Sequence, residues 1–122
     1  MINQFYKYCW HDTEIEKIEI SSNQITVMIN HDDYENPIKI LCNEVVGLTD
    51  LCMWEDVIIF DAKLEYANSE LISFLLKVKD AHPTDGDFYN NQPVKNGLLC
   101  LSIELVNHIA FHIYCYEVKI YE

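Results

Sequence analysis

The chain has no arginine, three glycines, three prolines, no CxxC pair, and no apolar run near the ~18 residues that a membrane-spanning helix needs. Each shortage removes a class of function. Without arginine there is no planar guanidinium for bidentate contact with phosphate or base edges, the commonest device of nucleic-acid readers. With so few glycines there is no GxGxxG, no GxxxxGK[ST] and no GxSxG, so nucleotide cradles and the serine elbow are missing. The opening MINQFYKYCW has neither a basic n-region nor an apolar h-region, and a cytoplasmic location is the expectation.

What is abundant is negative charge. Twenty acidic residues face eight basic ones, all lysines, for a net charge of −12. Such a chain repels polyanions at long range, so neither nucleic acid nor an anionic membrane is expected as a partner, whereas a cationic protein is. The 122 residues are the size of one domain, 1–122, and 50% of them are apolar, which supplies a core without staples. Five cysteines (Cys9, Cys42, Cys52, Cys100 and Cys115) are an odd number without zinc-ribbon spacing. All lie in apolar stretches and read as small buried hydrophobes.

Hydrophobic alternation dominates the chain. Thr13–Ile20 reads as a strand with Ile18 and Ile20 on one face, and Ile25, Val27 and Ile29 mark a second, joined to the first by a turn at Ser21–Asn23. Residues 38–46 form a third, stopped by Gly47. Residues 57–66 form a fourth, with Ile58, Phe60, Ala62, Leu64 and Tyr66 toward the core. Leu71, Phe74, Leu75 and Val78 recur at helical spacing, which predicts one amphipathic helix over about 70–80 behind a cap at Asn68 or Ser69. Residues 81–97 make one long loop, and 98–106 with 109–122 form a closing hairpin about Asn107-His108. In the last strand Phe111, Ile113 and Cys115 share a face, but Val118 and Ile120 have the opposite parity, which a β-bulge near Tyr116-Glu117 would reconcile. The class is α+β, mainly antiparallel β, with about six strands in hairpins and one helix.

Two His-Asp pairs, His11-Asp12 and His31-Asp32, stand at the two ends of the first hairpin, where its fold could set them side by side. One interpretation is a metal-dependent hydrolase built on those four residues. The plainer one makes them polar strand ends, with Asp12 accepting backbone N–H bonds in a turn. In phosphohydrolases that use an HD pair the dipeptide lies on a helix, and here it runs into a strand. His108 and His112 have the i, i+4 spacing of a zinc helix, but HIAFH lacks the glutamate, and on a strand the two rings lie roughly 13 Å apart. No cofactor motif is present, no catalytic residue is assigned, and nothing recognisable supports enzymatic activity.

Acid beside aromatic is the remaining signal. Trp54-Glu55-Asp56 precedes the fourth strand, and Asp85, Asp87, Phe88 and Tyr89 lie in the long loop. Aromatic side chains anchor interfaces and carboxylates steer a basic partner, so these seven residues are the expected partner-binding set. The order WHDTEIEKIEI, ITVMI, PIKILCNEVVGL and GLLCLSIELVN…FHIYCYEVKIYE resembles small bacterial immunity-type proteins, which are encoded beside polymorphic toxins and bind them. The resemblance implies a non-enzymatic protein-binding module that neutralises a cognate, basic toxin by occlusion. A structural homodimeric β-domain is the third alternative, and monomer or homodimer is left open.

Overall fold

β-Branched residues at every second position favour extended backbone, because their χ1 restriction suits a pleated surface better than a helix. The computed structural model describes residues 2–49, 57–68, 70, 88–89 and 97–122. Its elements are α1 (Ile2–Phe5), β1 (Glu14–Ser21), β2 (Gln24–Asn30), β3 (Ile38–Thr49), β4 (Ile59–Tyr66), β5 (Phe88–Tyr89), β6 (Leu99–Leu105) and β7 (Ala110–Tyr121). The class is α+β, mainly antiparallel β. The helix expected over 70–80 lies outside the described residues, Glu70 apart. No helix among the described residues is long and apolar enough to cross a membrane.

The strands form one antiparallel sheet in the order β1-β2-β3-β7-β6-β4, with β5 on β3. β3 is long enough to pair with β2 through Ile38–Cys42 and with β5 at Gly47 and Leu48, while β7 runs beside it throughout. Gly47 therefore does not stop the strand.

The two ends of the sheet meet. Glu14 bridges Ile58, and backbone bonds run from Ile59 N to Thr13 O (2.8 Å), from Asp12 N to Ile59 O (2.9 Å) and from Ile15 N to Val57 O (2.9 Å). The sheet thus curls into a partly closed barrel. Inside it lie Ile25, Val27, Ile29, Ile40, Leu64, Leu101, Ile103 and Phe111, all at most 1% exposed.

FYKYCW, residues 5–10, whose composition favours neither helix nor strand, begins at the last residue of α1 and continues as turn and irregular chain. Phe5 and Trp10 are buried with ring centroids 5.2 Å apart, and the Trp10 indole N–H donates to Phe5 O at 3.0 Å. Tyr6 stays outside, but its hydroxyl donates to Leu64 O (3.3 Å) and accepts from Leu64 N (3.1 Å). One side chain thereby occupies both backbone groups of an edge residue, which blunts the β4 edge. Cys9, expected to be buried, is exposed, although its neighbour Trp10 enters the core; Cys42, Cys100 and Cys115 are buried.

Irregularities displace several expected faces. In β4 the pairing shifts between Ile59 and Asp61, so Phe60 is an extra residue. Ile59, Ala62 and Leu64 face the core, while Ile58, Phe60 and Tyr66, expected inside, are exposed. In β7 the parity does switch between Cys115 and Val118, as expected. The register shift, however, lies in β3 between Val45 and Gly47, and Glu44 has φ 53°. Both strands change face together between the Cys42–Val118 and Val45–Cys115 rungs, so neither loses register there.

The β6–β7 turn carries His108 at φ 68°, with His108 N bonded to Leu105 O and Leu105 N to Ile109 O, each at 2.9 Å. This is a three-residue hairpin loop whose last residue takes the left-handed conformation.

Candidate functional site

The chemistry-bearing side chains fall into two groups, one at the barrel seam and one on the outer face of β4, β6 and β7. At the seam, the pairing of Glu14 with Asn30 brings both His-Asp pairs to the same end of the first hairpin. The rings then turn to different backbone groups. His11 Nδ1 bonds Phe60 O at 2.6 Å, which joins residue 11 to β4, and its Nε2 lies 3.4 Å from Asp12 Oδ2. His31 Nε2 bonds Cys9 O at 2.9 Å, and its Nδ1 accepts from Asp33 N at 3.2 Å. That acceptor role puts the His31 proton on Nε2, where it donates to Cys9.

Asp12 and Asp32 are exposed. Asp12 does not cap a turn through its carboxylate; it contributes a left-handed backbone, φ 63°, and its own N–H to Ile59. The four residues proposed as metal ligands are thus divided between backbone stitching and solvent. Among the described residues no group of three or more His, Cys, Asp or Glu is arranged to hold a metal ion.

The outer face of β4, β6 and β7 is a grid set by register. Asp61 stands opposite Glu104, Lys63 opposite Ser102, and Glu65 opposite Cys100. On the far side of β6, Ser102 faces His112 and Cys100 faces Tyr114. The grid's Asp61, Lys63, Glu65, Ser102, Glu104 and His112 line a concavity of about 290 Å³, whereas Cys100 and Tyr114 are buried in a small apolar cluster with Val46 and Leu98. Ser102 Oγ lies 2.8 Å from His112 Nδ1 and 3.4 Å from Cys100 Sγ, and the His112 ring stacks on Tyr114.

A hydroxyl beside an imidazole suggests a nucleophile and base, but the setting does not complete one. β6 lies between β4 and β7, so its backbone N–H groups serve the two ladders and are not gathered into an oxyanion hole. The Cys100 thiol is pushed above its ordinary pKa by burial, with the Glu65 charge adding and the Ser102 hydrogen bond opposing. It is therefore a neutral thiol near pH 7 rather than a nucleophilic thiolate. Cys42 is raised further, first by its hydrogen bond with Cys115 and then by burial.

Phe60 lies beside this grid. The β4 bulge turns its ring outward, 43% exposed, between the imidazoles of His11 (centroids 5.6 Å) and His108 (6.1 Å). Both contacts are edge-to-face, the favoured geometry of aromatic pairs.

Of the expected partner-binding residues, Trp54, Glu55, Asp56, Asp85 and Asp87 lie outside the described residues. Phe88 and Tyr89 form β5, with their backbones paired to Leu48 and Gly47. The sequence reading missed Phe60-Asp61, an aromatic beside an acid like the two stretches it selected, because strict alternation assigned Phe60 to the core. A second concavity, of about 360 Å³, lies on the outer face of β1, β2, β3 and β7 between Met28, Leu41 and Tyr121. There Lys17 pairs with Glu19 at 2.8 Å and Lys39 lines the wall, so its charge is largely balanced.

Comparison with protein-family models, with curated proteins and with solved structures finds no match to this chain.

Proposed function

We propose that this protein is a non-enzymatic protein-binding module of immunity type, which neutralises a basic toxin by covering it. The observation that carries the reading is uncompensated negative charge. The chain has a net charge of −12, and among the described residues its lysine–carboxylate pairs are Lys17–Glu19 at 2.8 Å and Lys119–Glu117 at 3.5 Å. A surface so unbalanced attracts cationic proteins over a distance and repels polyanions and further copies of itself. The mechanism is electrostatic steering, then burial of aromatic anchors, without bond chemistry. On this reading Trp54, Phe88 and Tyr89 are anchors, and Glu55, Asp56, Asp85 and Asp87 steer.

The test is co-expression with a toxin encoded beside the gene, followed by rate measurements on the purified pair at two salt concentrations. Protection from the toxin is expected. Trp54→Ala or Tyr89→Ala should raise the dissociation rate and cost ~2 kcal/mol or more at a hot spot. Neutralising Asp85 and Asp87 should mainly slow association, with an effect that fades as salt rises. An acidic partner, or binding indifferent to salt, would sink the reading.

A further inference from the structure

We infer that the outer face of β4, β6 and β7 is a docking surface for a cationic segment of a protein partner, with Phe60 as its anchor and Asp61 and Glu104 as its counter-charges. This rests on the protein-binding reading above and adds Phe60, Asp61 and Glu104 to the seven residues it names.

Three independent features of the fold converge there. The first is a cross-strand pair of like charges. Asp61 on β4 and Glu104 on β6 are direct partners in the register, and like charges directly opposite destabilise a sheet. Lys63 lines the same concavity, but its direct partner across the strands is Ser102, not a carboxylate. Glu65 adds a third carboxylate to the wall.

The second feature is an aromatic ring presented rather than buried. The β4 bulge turns Phe60 outward, and the His11 and His108 imidazoles each contact its ring in edge-to-face geometry. A bulge places its two adjacent side chains on the same side of the strand, so the ring and the Asp61 carboxylate share the outer face.

The third feature is shape. The carboxylates border a concavity of about 290 Å³, and Ser102 and His112 supply further polar groups inside it.

Charge selects the occupant. A second copy of the chain would bring the same −12 and the same acidic grid, and nucleic acid would bring phosphates. A lysine- or arginine-bearing segment complements the exposed ring and the three carboxylates, which outnumber the one lysine of the wall: its methylene stems cover Phe60, its charged heads meet the carboxylates, and its arrival relieves the Asp61–Glu104 repulsion. The concavity between Met28, Leu41 and Tyr121 lacks that selectivity, because lysines already offset its glutamates.

The experiment titrates a decalysine peptide into the intact, isotope-labelled protein and follows backbone amide shifts. The largest shifts are expected at residues 60–65, 102–104 and 110–112, fading as salt rises past the ~8 Å screening length of physiological buffer. Asp61→Asn with Glu104→Gln should weaken the peptide about tenfold. The same double variant should raise the melting temperature by a few degrees, since the repulsion is gone, so lost binding cannot be mistaken for lost folding. Phe60→Ala should weaken binding roughly threefold. Asp32→Asn with Glu35→Gln, which removes as much charge elsewhere, should change affinity less than twofold. Shifts spread evenly over the acidic surface, equal loss in the control variant, or no binding would overturn this face. Shifts confined to residues 54–56 and 85–89 would overturn it too, but would leave the protein-binding reading standing.

Discussion

The same dipeptide, His-Asp, ends in two different settings. At 31–32 the imidazole is 8% exposed and both ring nitrogens are engaged, one by Cys9 O and one by Asp33 N. At 11–12 the imidazole is 55% exposed, bonds one carbonyl, and leans on the Phe60 ring. Both nevertheless hold the N-terminal segment to the sheet, His31 from β2's end and His11 from β4's edge. What separates them is how much of each ring is covered and how many bonds it makes: His31 is packed in and makes two, whereas His11 is half in water and makes one. The pair that looked like half a metal site is better understood as two clasps of unequal strength on one seam.

Breaking what both clasps hold should have the largest effect. Trp10 is 4% exposed and packs on Phe5 within the core, so Trp10→Ala should cost ~3–5 kcal/mol in urea denaturation. A loss below ~1 kcal/mol would mean that the N-terminal segment is not part of the cooperative fold.

The clasps themselves come next. His31→Ala should cost ~1–2 kcal/mol, because it removes a covered ring that packs on Tyr34 together with its two hydrogen bonds, while His11→Ala should cost under ~1 kcal/mol. Equal losses would show that burial does not govern the difference.

A third clasp titrates. The Tyr8 hydroxyl donates to Glu122 Oε1 at 2.7 Å, which raises the Tyr8 pKa to about 12, mainly through that hydrogen bond and then through burial and the Glu122 charge. Its folded pKa lies above its unfolded value of 10.0, so this stabilisation is fully present below pH 10.0 and is lost as pH rises toward about 12. Stability measured against pH should fall in that window, and Tyr8→Phe should reduce the fall. If Tyr8→Phe leaves the alkaline limb unchanged, the tether between the two chain ends does not contribute.

The smallest effect is at Asp12. Its backbone is left-handed at φ 63°, and its carboxylate sits in solvent, so Asp12→Gly should gain up to ~0.5 kcal/mol by relieving the backbone. Asp12→Ala, which keeps a Cβ there, should gain nothing. A loss of ~1 kcal/mol or more in the glycine variant would show that the carboxylate has a structural partner.

Much of the fold was legible in the sequence. Val27 and Ile29 alternate with polar neighbours, and Phe111, Ile113 and Cys115 do the same, so the bounds of β1, β2, β4, β6 and β7 could be read within two residues. β3, however, runs three residues further than expected, and β5 lies in the expected loop. Bulges could not be read. Each adds a single residue and inverts every face beyond it, which is why Phe60 looked like core and is surface. Gly47 looked like a stop, yet β3 continues through it because β5 and β7 pair on either side. The candidate docking face was less legible still, because its acidic pair comes from residues 61 and 104, far apart in the chain.

Composition and local pattern by themselves determined that this chain is an antiparallel, strongly acidic protein without the motifs of nucleotide, metal or nucleic-acid chemistry. They suffice because period-two burial is a property of neighbouring residues, and net charge needs no structure at all. Tertiary structure alone decided the strand order, the seam that closes the barrel, the unequal clasps of His11 and His31, and the exposure of Phe60. Each depends on which distant backbone group comes to lie alongside, as when Tyr6 meets Leu64 across 58 residues. No local preference carries that information; it arises only when the whole sheet curls and its two ends must satisfy each other's hydrogen bonds.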